Sequence, residues 1–242
     1  MTQAKKEMKH EITGFQEDKL TLILTSMSEG KKRAIQRVVK GKTSTWLTVL
    51  PVSHYHFDLS PSEFRDALAI RYHQPLTKLP ADCDGCGREF TLQHALDCRK
   101  GGLIIQRHNE VRDSLSDLAS IAFRDVIREP IVRDADPVRG LPALVADLGV
   151  RGLWVAQTEA LLDIRVMDTD AQSYTSRTVD SVLLSAENEK KKKYLDAVEA
   201  RHASFTPFVT SIDGVLAREA NSVIKLLATR IALKWEKPLL DG

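Results

Sequence analysis

The chain lacks any apolar run approaching the roughly 20 residues that a membrane helix requires. Its start, Met1-Thr2-Gln3-Ala4-Lys5-Lys6-Glu7, is charged and has no apolar signal core behind it. A soluble, intracellular protein with no membrane partner is expected. Net charge is also scarce, +2 over 242 residues, so affinity for nucleic acid has to come from local basic patches and not from a general positive field. Cysteine is rarer still: three residues cannot pair completely, which argues against a disulfide framework. Internal repeats and long low-complexity segments are missing. The 43% of hydrophobic residues suffices to bury one sizeable core or two unequal ones.

All three cysteines fall in one run, Cys83-Asp84-Gly85-Cys86 continuing to His94 and Cys98. A C-x2-C pair with Gly85 and Gly87 makes a tight turn that aims two thiolates at one centre, and H-x3-C sets two more ligands one helical turn apart. Four ligands close a tetrahedron around Zn²⁺, and a closed site is structural, holding loops that have too little core of their own. The plain alternative is chance clustering with His94 merely packed.

Residues 1–42 are rich in Lys and Glu and predict one or two solvated helices with a basic face at Lys31, Lys32 and Arg33, which can equally be ordinary charged surface. Trp46-Leu47-Thr48-Val49-Leu50-Pro51 is a short apolar segment stopped by proline, and Ser60-Pro61-Ser62-Glu63 predicts the start of a helix over 61–72. Apolar spacing from Val111 to Val126 predicts a helix over 107–128, ended by Pro130, and 131–142 reads as a loop. Strands are predicted at 144–148, 152–155 and 161–166, a helix at 186–202, a strand at 205–212, and a last helix over 215–236 capped by Asp213. His54, His56, His73 and His202 fall at loop or surface positions and read as solvated; His108, beside Arg107, either lines a cleft or caps its helix.

Acids on these strands are where chemistry can lie. The period of two sends Leu162, Ile164 and Val166 to one face and Asp163, Arg165 and Met167 to the other. Asp147, flanked by apolar residues, is an unfavourable place for a charge unless a metal or partner compensates it. Glu187, Lys190 and Tyr194 share one helix face. An acid pair holding a divalent ion beside a lysine suits phosphodiester hydrolysis. The bland counterpart is a surface ion pair and a solvated run of lysines.

These motifs together resemble the C-terminal region of a non-LTR retrotransposon polyprotein, a Cys-Cys-His-Cys knuckle followed by a restriction-like endonuclease. The resemblance is carried by Trp46 to Pro51, Phe64-Arg65-Asp66-Ala67-Leu68 with Arg71-Tyr72, Cys83 to Cys98 with Gly101-Gly102, Arg107-His108-Asn109, Glu129-Pro130, Asp163-Ile164-Arg165-Val166, Glu187-x2-Lys190-x3-Tyr194 and Phe205-Thr206-Pro207. It implies an α/β fold with a PD-(D/E)xK core over 105–242, a knuckle over 79–104 and a helical or linker segment over 1–78. It further implies Asp147 and Asp163 as ligands of Mg²⁺ or Mn²⁺, Lys190 as the catalytic lysine, and Glu129 at the end of the first helix as an accessory acid. Contacts to nucleic acid are expected from Lys31, Lys32, Arg33, Arg107, His108, Arg165 and Tyr194. The implied activity is a nick in double-stranded DNA, made in the nucleus, whose 3′ hydroxyl primes a linked reverse transcriptase; element RNA is a further partner. No Asp-Asp polymerase signature precedes the knuckle, so the chain resembles a detached C-terminal portion or a domesticated fragment. Ala146 stands where the family usually has proline, Val145 where a basic residue is common, and Arg165 in the lysine place of a simple D-x-K. Arginine stays protonated and cannot serve as a base, so Lys190 must act, or the chain is a degenerate zinc-containing nucleic-acid-binding module.

Overall fold

A computed structural model describes residues 3–41, 43–49, 53, 58–101 and 103–236. Leu50 and Pro51 of the apolar segment, His54, His56 and Gly102 lie outside the described residues. The chain forms two compact units, Met1–Leu76 and Thr77–Gly242. No helix among the described residues is long and apolar enough to cross a membrane.

The first unit holds helices α1 (Gln3–Thr25), α2 (Glu29–Gly41) and α3 (Pro61–Arg71). Helix α3 starts where its sequence says: Ser60 Oγ accepts from Glu63 N, the Glu63 carboxylate returns to Ser60 N, and Pro61 takes the first position, where no N–H is missed. Its last residue, Arg71, is buried; Nη1 donates to Thr43 O and Oγ1 at 2.7 and 3.1 Å and Nη2 to Ser44 Oγ at 2.5 Å, while Nε has no partner among the described residues. Trp46 packs edge-on against Phe64.

The second unit opens with a cysteine-containing loop and α4 (Leu92–Asp97), then α5 (Leu103–Ala122), β1 (Val126–Arg128), β2 (Ile131–Arg133), β3 (Leu144–Val145), β4 (Leu148–Arg151), β5 (Glu159–Met167), α6 (Val179–Glu199), β6 (Ser204–Ser211) and α7 (Arg218–Lys234). The result is a mixed α/β fold. The sheet runs β1-β4-β5-β6, antiparallel except for β5 and β6, which α6 joins as a crossover. Strands β2 and β3 form a separate antiparallel pair. Alternation along β5 divides the core: Ala160, Leu162 and Ile164 pack with Leu115 and Ala119 of α5 and Val223 and Leu227 of α7, while Leu161 and Met167 pack with residues of α6. Pro207 is tolerated because β6 is an edge strand.

Several boundaries correct the sequence expectation. The helix expected to reach Arg128 stops at Ala122, because the β-branched Val126 and Ile127 pair with Val150 and Gly149 of β4. Glu129 therefore follows a strand and does not end a helix. Part of the expected loop over 131–142 is β2. Residues 152–155 form the β4–β5 turn, with Gly152 at φ +82°, and not a strand. Helix α6 starts at Val179, with Thr178 as its N-cap, well before the expected 186. Helix α7 starts at Arg218, and Asp213 does not cap it: the Asp213 carboxylate accepts from Ser211 Oγ instead.

Candidate metal centre and acidic cleft

The four knuckle ligands meet. Cys83 N donates to Arg88 O at 2.7 Å and Gly87 N to Cys83 O at 2.7 Å, closing the C-x2-C turn, and Gly87 adopts φ +70°. A Cβ on Gly85 would stand 2.6 Å from Gly101 Cα, so only glycine lets the turn press against the chain that follows Cys98. Thr91 caps α4 on His94 N, and Cys98 ends it with its N–H on His94 O, so one short helix delivers both remaining ligands. The four ligand atoms lie within 4.8 Å of one another. Cys98 Sγ stands 3.8 Å from both Cys83 Sγ and Cys86 Sγ, and His94 Nε2 is 3.2 Å from Cys86 Sγ. Thiolates arranged tetrahedrally around zinc at a Zn–S distance near 2.3 Å stand about 3.8 Å apart. The donor set and its spacing thus fit Zn²⁺. Hydrogen bonds from the Arg88 backbone and side chain draw the Cys86 thiol down to about 6, toward the thiolate a metal needs, while burial pushes Cys83 up.

The knuckle is tied to the sheet. Gln93 Nε2 donates to Asp168 Oδ2 just beyond β5 at 2.7 Å and to Asp97 Oδ2 at 2.8 Å. Arg107 of α5 donates to Leu96 O at 3.4 Å, and its buried Nε has no partner among the described residues. Burial lowers the Arg107 pKa against the opposing charges of Asp168 and Asp97. Arg107, expected against nucleic acid, is thus turned inward as a brace.

Asp147 sits in a bend between β3 and β4, where its N donates to Leu162 O at 2.9 Å and its O accepts from Glu129 N at 3.0 Å. Its Oδ2 accepts the backbone N–H of Ile164, next to Asp163, at 2.5 Å, and its Oδ1 is 2.9 Å from His108 Nε2. Burial raises the Asp147 carboxyl, but the bonds from His108 and Ile164 and the charges of His108 and Lys190 outweigh it and leave its pKa below the ordinary range. The same hydrogen bond raises His108 against its own burial, and Asp163 adds to the rise.

Asp163 is 5% exposed. Lys190 pairs with its Oδ2, which has no other hydrogen-bond partner among the described residues. The Tyr194 hydroxyl lies between Asp163 Oδ1 and Val145 O, and its single proton serves one at a time. Burial and Asp163 hold that phenol protonated well above its usual range. Tyr194, expected to touch nucleic acid, is 1% exposed and stacked on Phe205 with ring centroids 4.7 Å apart, so it positions Asp163 instead.

The remaining expected residues are dispersed. Glu129 is exposed and bound to Arg112 Nη1 at 2.5 Å, its φ of +54° turning the carboxylate toward α5. Arg165 pairs with Glu189 at 2.5 Å. Lys31, Lys32 and Arg33 lie on α2 in the other unit, with Lys32 on Glu29 at 2.6 Å. Lys191 pairs with Glu219, and Lys193 lies over the Tyr194 ring, so the lysine run is not a uniform solvated face. Spacing carried no signal for Gln93, Asp168 or Arg112, whose partners come from distant segments. Glu187 shared the motif face, but its carboxylate caps another helix: it accepts Glu219 N of α7 at 2.9 Å. Neither a protein-family model nor a curated protein matches the sequence.

Proposed function

We propose that this chain is a divalent-metal-dependent endonuclease of the PD-(D/E)xK type that nicks double-stranded DNA. The observation that supports it most is the shared neighbourhood of Asp147, Asp163 and Lys190: Asp147 reaches the N–H directly after Asp163, and Lys190 crosses from α6 to the Asp163 carboxylate. Two carboxylates in one neighbourhood, Asp147 and the buried Asp163, offer the hard oxygen ligands that Mg²⁺ or Mn²⁺ favour. An ion bound there would polarise a phosphate and lower the pKa of a water. Asp147 and Asp163 would hold it. Lys190 would stabilise charge developing on the phosphate oxygens, and Tyr194 keeps Asp163 oriented. Arg165 stays protonated and serves as a charge, not a base.

On this reading the Zn²⁺ site is structural, and the 3′ hydroxyl released by the nick primes a linked reverse transcriptase in the nucleus, with element RNA as a further partner. The test is nicking of a supercoiled plasmid by zinc-loaded protein, in Mg²⁺ against EDTA and with Asp163→Asn beside the wild type. Metal-dependent nicking that the variant loses is expected. A second reading, a catalytically degenerate zinc-containing module that binds nucleic acid, is favoured by one observation: the Lys190 ammonium pairs with Asp163 Oδ2, an oxygen a cation would need. Salt-sensitive DNA binding with no nicking would establish it in place of the endonuclease.

A further inference from the structure

The Asp147 carboxylate is gripped from two elements at once. His108 on α5 stands 2.9 Å from Oδ1, and Ile164 N on β5 donates to Oδ2 at 2.5 Å. An ionised carboxylate has no proton to give, so the imidazole is the donor. The backbone of Asp147 is fixed as well, by Leu162 O and Glu129 N. The carboxylate is therefore anchored at its root and at both oxygens, although it lies in a bend outside any regular ladder. Its two oxygens offer about four lone-pair sites, so each retains an acceptor site for a cation after these bonds.

We propose that His108 is a positioning residue for a divalent-cation site: its N–H fixes the rotation of the Asp147 carboxylate, so that an ion meets a preset ligand. The proposal rests on the endonuclease reading. Ile164 alone cannot supply this, because one bond to one oxygen leaves the second free to swing, whereas bonds at both oxygens define the plane. Groups that orient metal-binding side chains in this way typically change metal affinity about 10–100-fold when removed. A merely structural tie between α5 and the sheet would change stability and leave ion affinity alone.

The experiment is calorimetric titration of Mn²⁺ into the zinc-loaded full chain, with thermal unfolding measured in parallel. The proteins are wild type, His108→Ala, His108→Gln and Asp147→Ala. Gln can place an amide N–H near the position of Nε2. The wild type is expected to bind an ion that Asp147→Ala abolishes; His108→Ala weakens it on the order of tenfold or more, and His108→Gln restores most of the affinity. Mn²⁺ bound by His108→Ala as tightly as by the wild type, or more tightly, overturns the proposal while leaving the endonuclease reading intact. So does His108→Gln that binds no better than His108→Ala. A wild type with no Asp147-dependent ion overturns the endonuclease reading, and this proposal with it.

Discussion

Gln93 on the knuckle helix donates to the buried carboxylate of Asp168, 75 residues away in sequence, at 2.7 Å. A single amide thus joins the loop that zinc would organise to the end of the strand that carries Asp163.

Zinc removal should consequently be felt beyond the knuckle. Cys83→Ser is expected to lose about one equivalent of metal per chain, because ligation is part of folding such a loop. Hydrogen exchange should accelerate over α4, the first turns of α5 and residues 168–169. Gln93→Leu should keep its zinc and lose about 1 kcal/mol of stability in chemical denaturation. Acceleration confined to the knuckle would show that the brace carries no coupling.

Lys190 and Asp163 form a largely buried ion pair. Lys190→Met removes one partner and leaves the other charge buried, which costs about 3–5 kcal/mol. Adding Asp163→Asn should return much of that loss, since the two sites share one interaction. A double-mutant cycle in urea measures the coupling; additive effects would contradict the pair.

Tyr194→Phe deletes a hydroxyl and little else. Val145 O and Asp163 Oδ1 then lose the one donor they share, and about 1–3 kcal/mol of stability should go. Because the ring is buried, DNA affinity at fixed salt should not change.

The His108–Asp147 pair makes stability depend on pH in a defined window. The folded His108 pKa is raised above 6.5, so its contribution is complete below 6.5 and is lost as pH rises through the higher folded value. The folded Asp147 pKa is depressed below 3.8, so its contribution is complete above 3.8 and is lost as pH falls through the lower value. Metal-free protein should draw most from this pair between those two ordinary values. An NMR titration should place the His108 imidazole above 6.5 and show it falling in Asp147→Asn. An unshifted imidazole would rule out the bond.

Glu187 replaces the cap that Ala217 cannot provide for α7. Glu187→Ala should cost about 1 kcal/mol. Glu187→Gln keeps an acceptor and sheds a charge whose pKa burial has raised, so at neutral pH it should be neutral or stabilising. Equal losses in the two variants would mean that packing, and not capping, is what Glu187 supplies.

The knuckle was legible in sequence because its ligands are local: two thiolates across a glycine turn and two ligands one helical turn apart need no distant partner. The start of α3 was legible for the same reason, since Ser60, Pro61 and Glu63 cap one another. The two faces of β5 followed from strand period alone. The end of α5 was not legible, because Val126 continues the helical spacing and only pairing with Val150 makes it a strand. Nor could spacing show that Tyr194 points at Asp163, that Arg107 is turned onto the knuckle, or that Glu187 caps a helix 32 residues on. Local chemistry along the chain determined a metal-ligand set, a helix start and the alternation of a central strand. Which charges are paired, buried or left to act was decided by the sheet and its covering helices, because that depends on neighbours brought together only when the core closes.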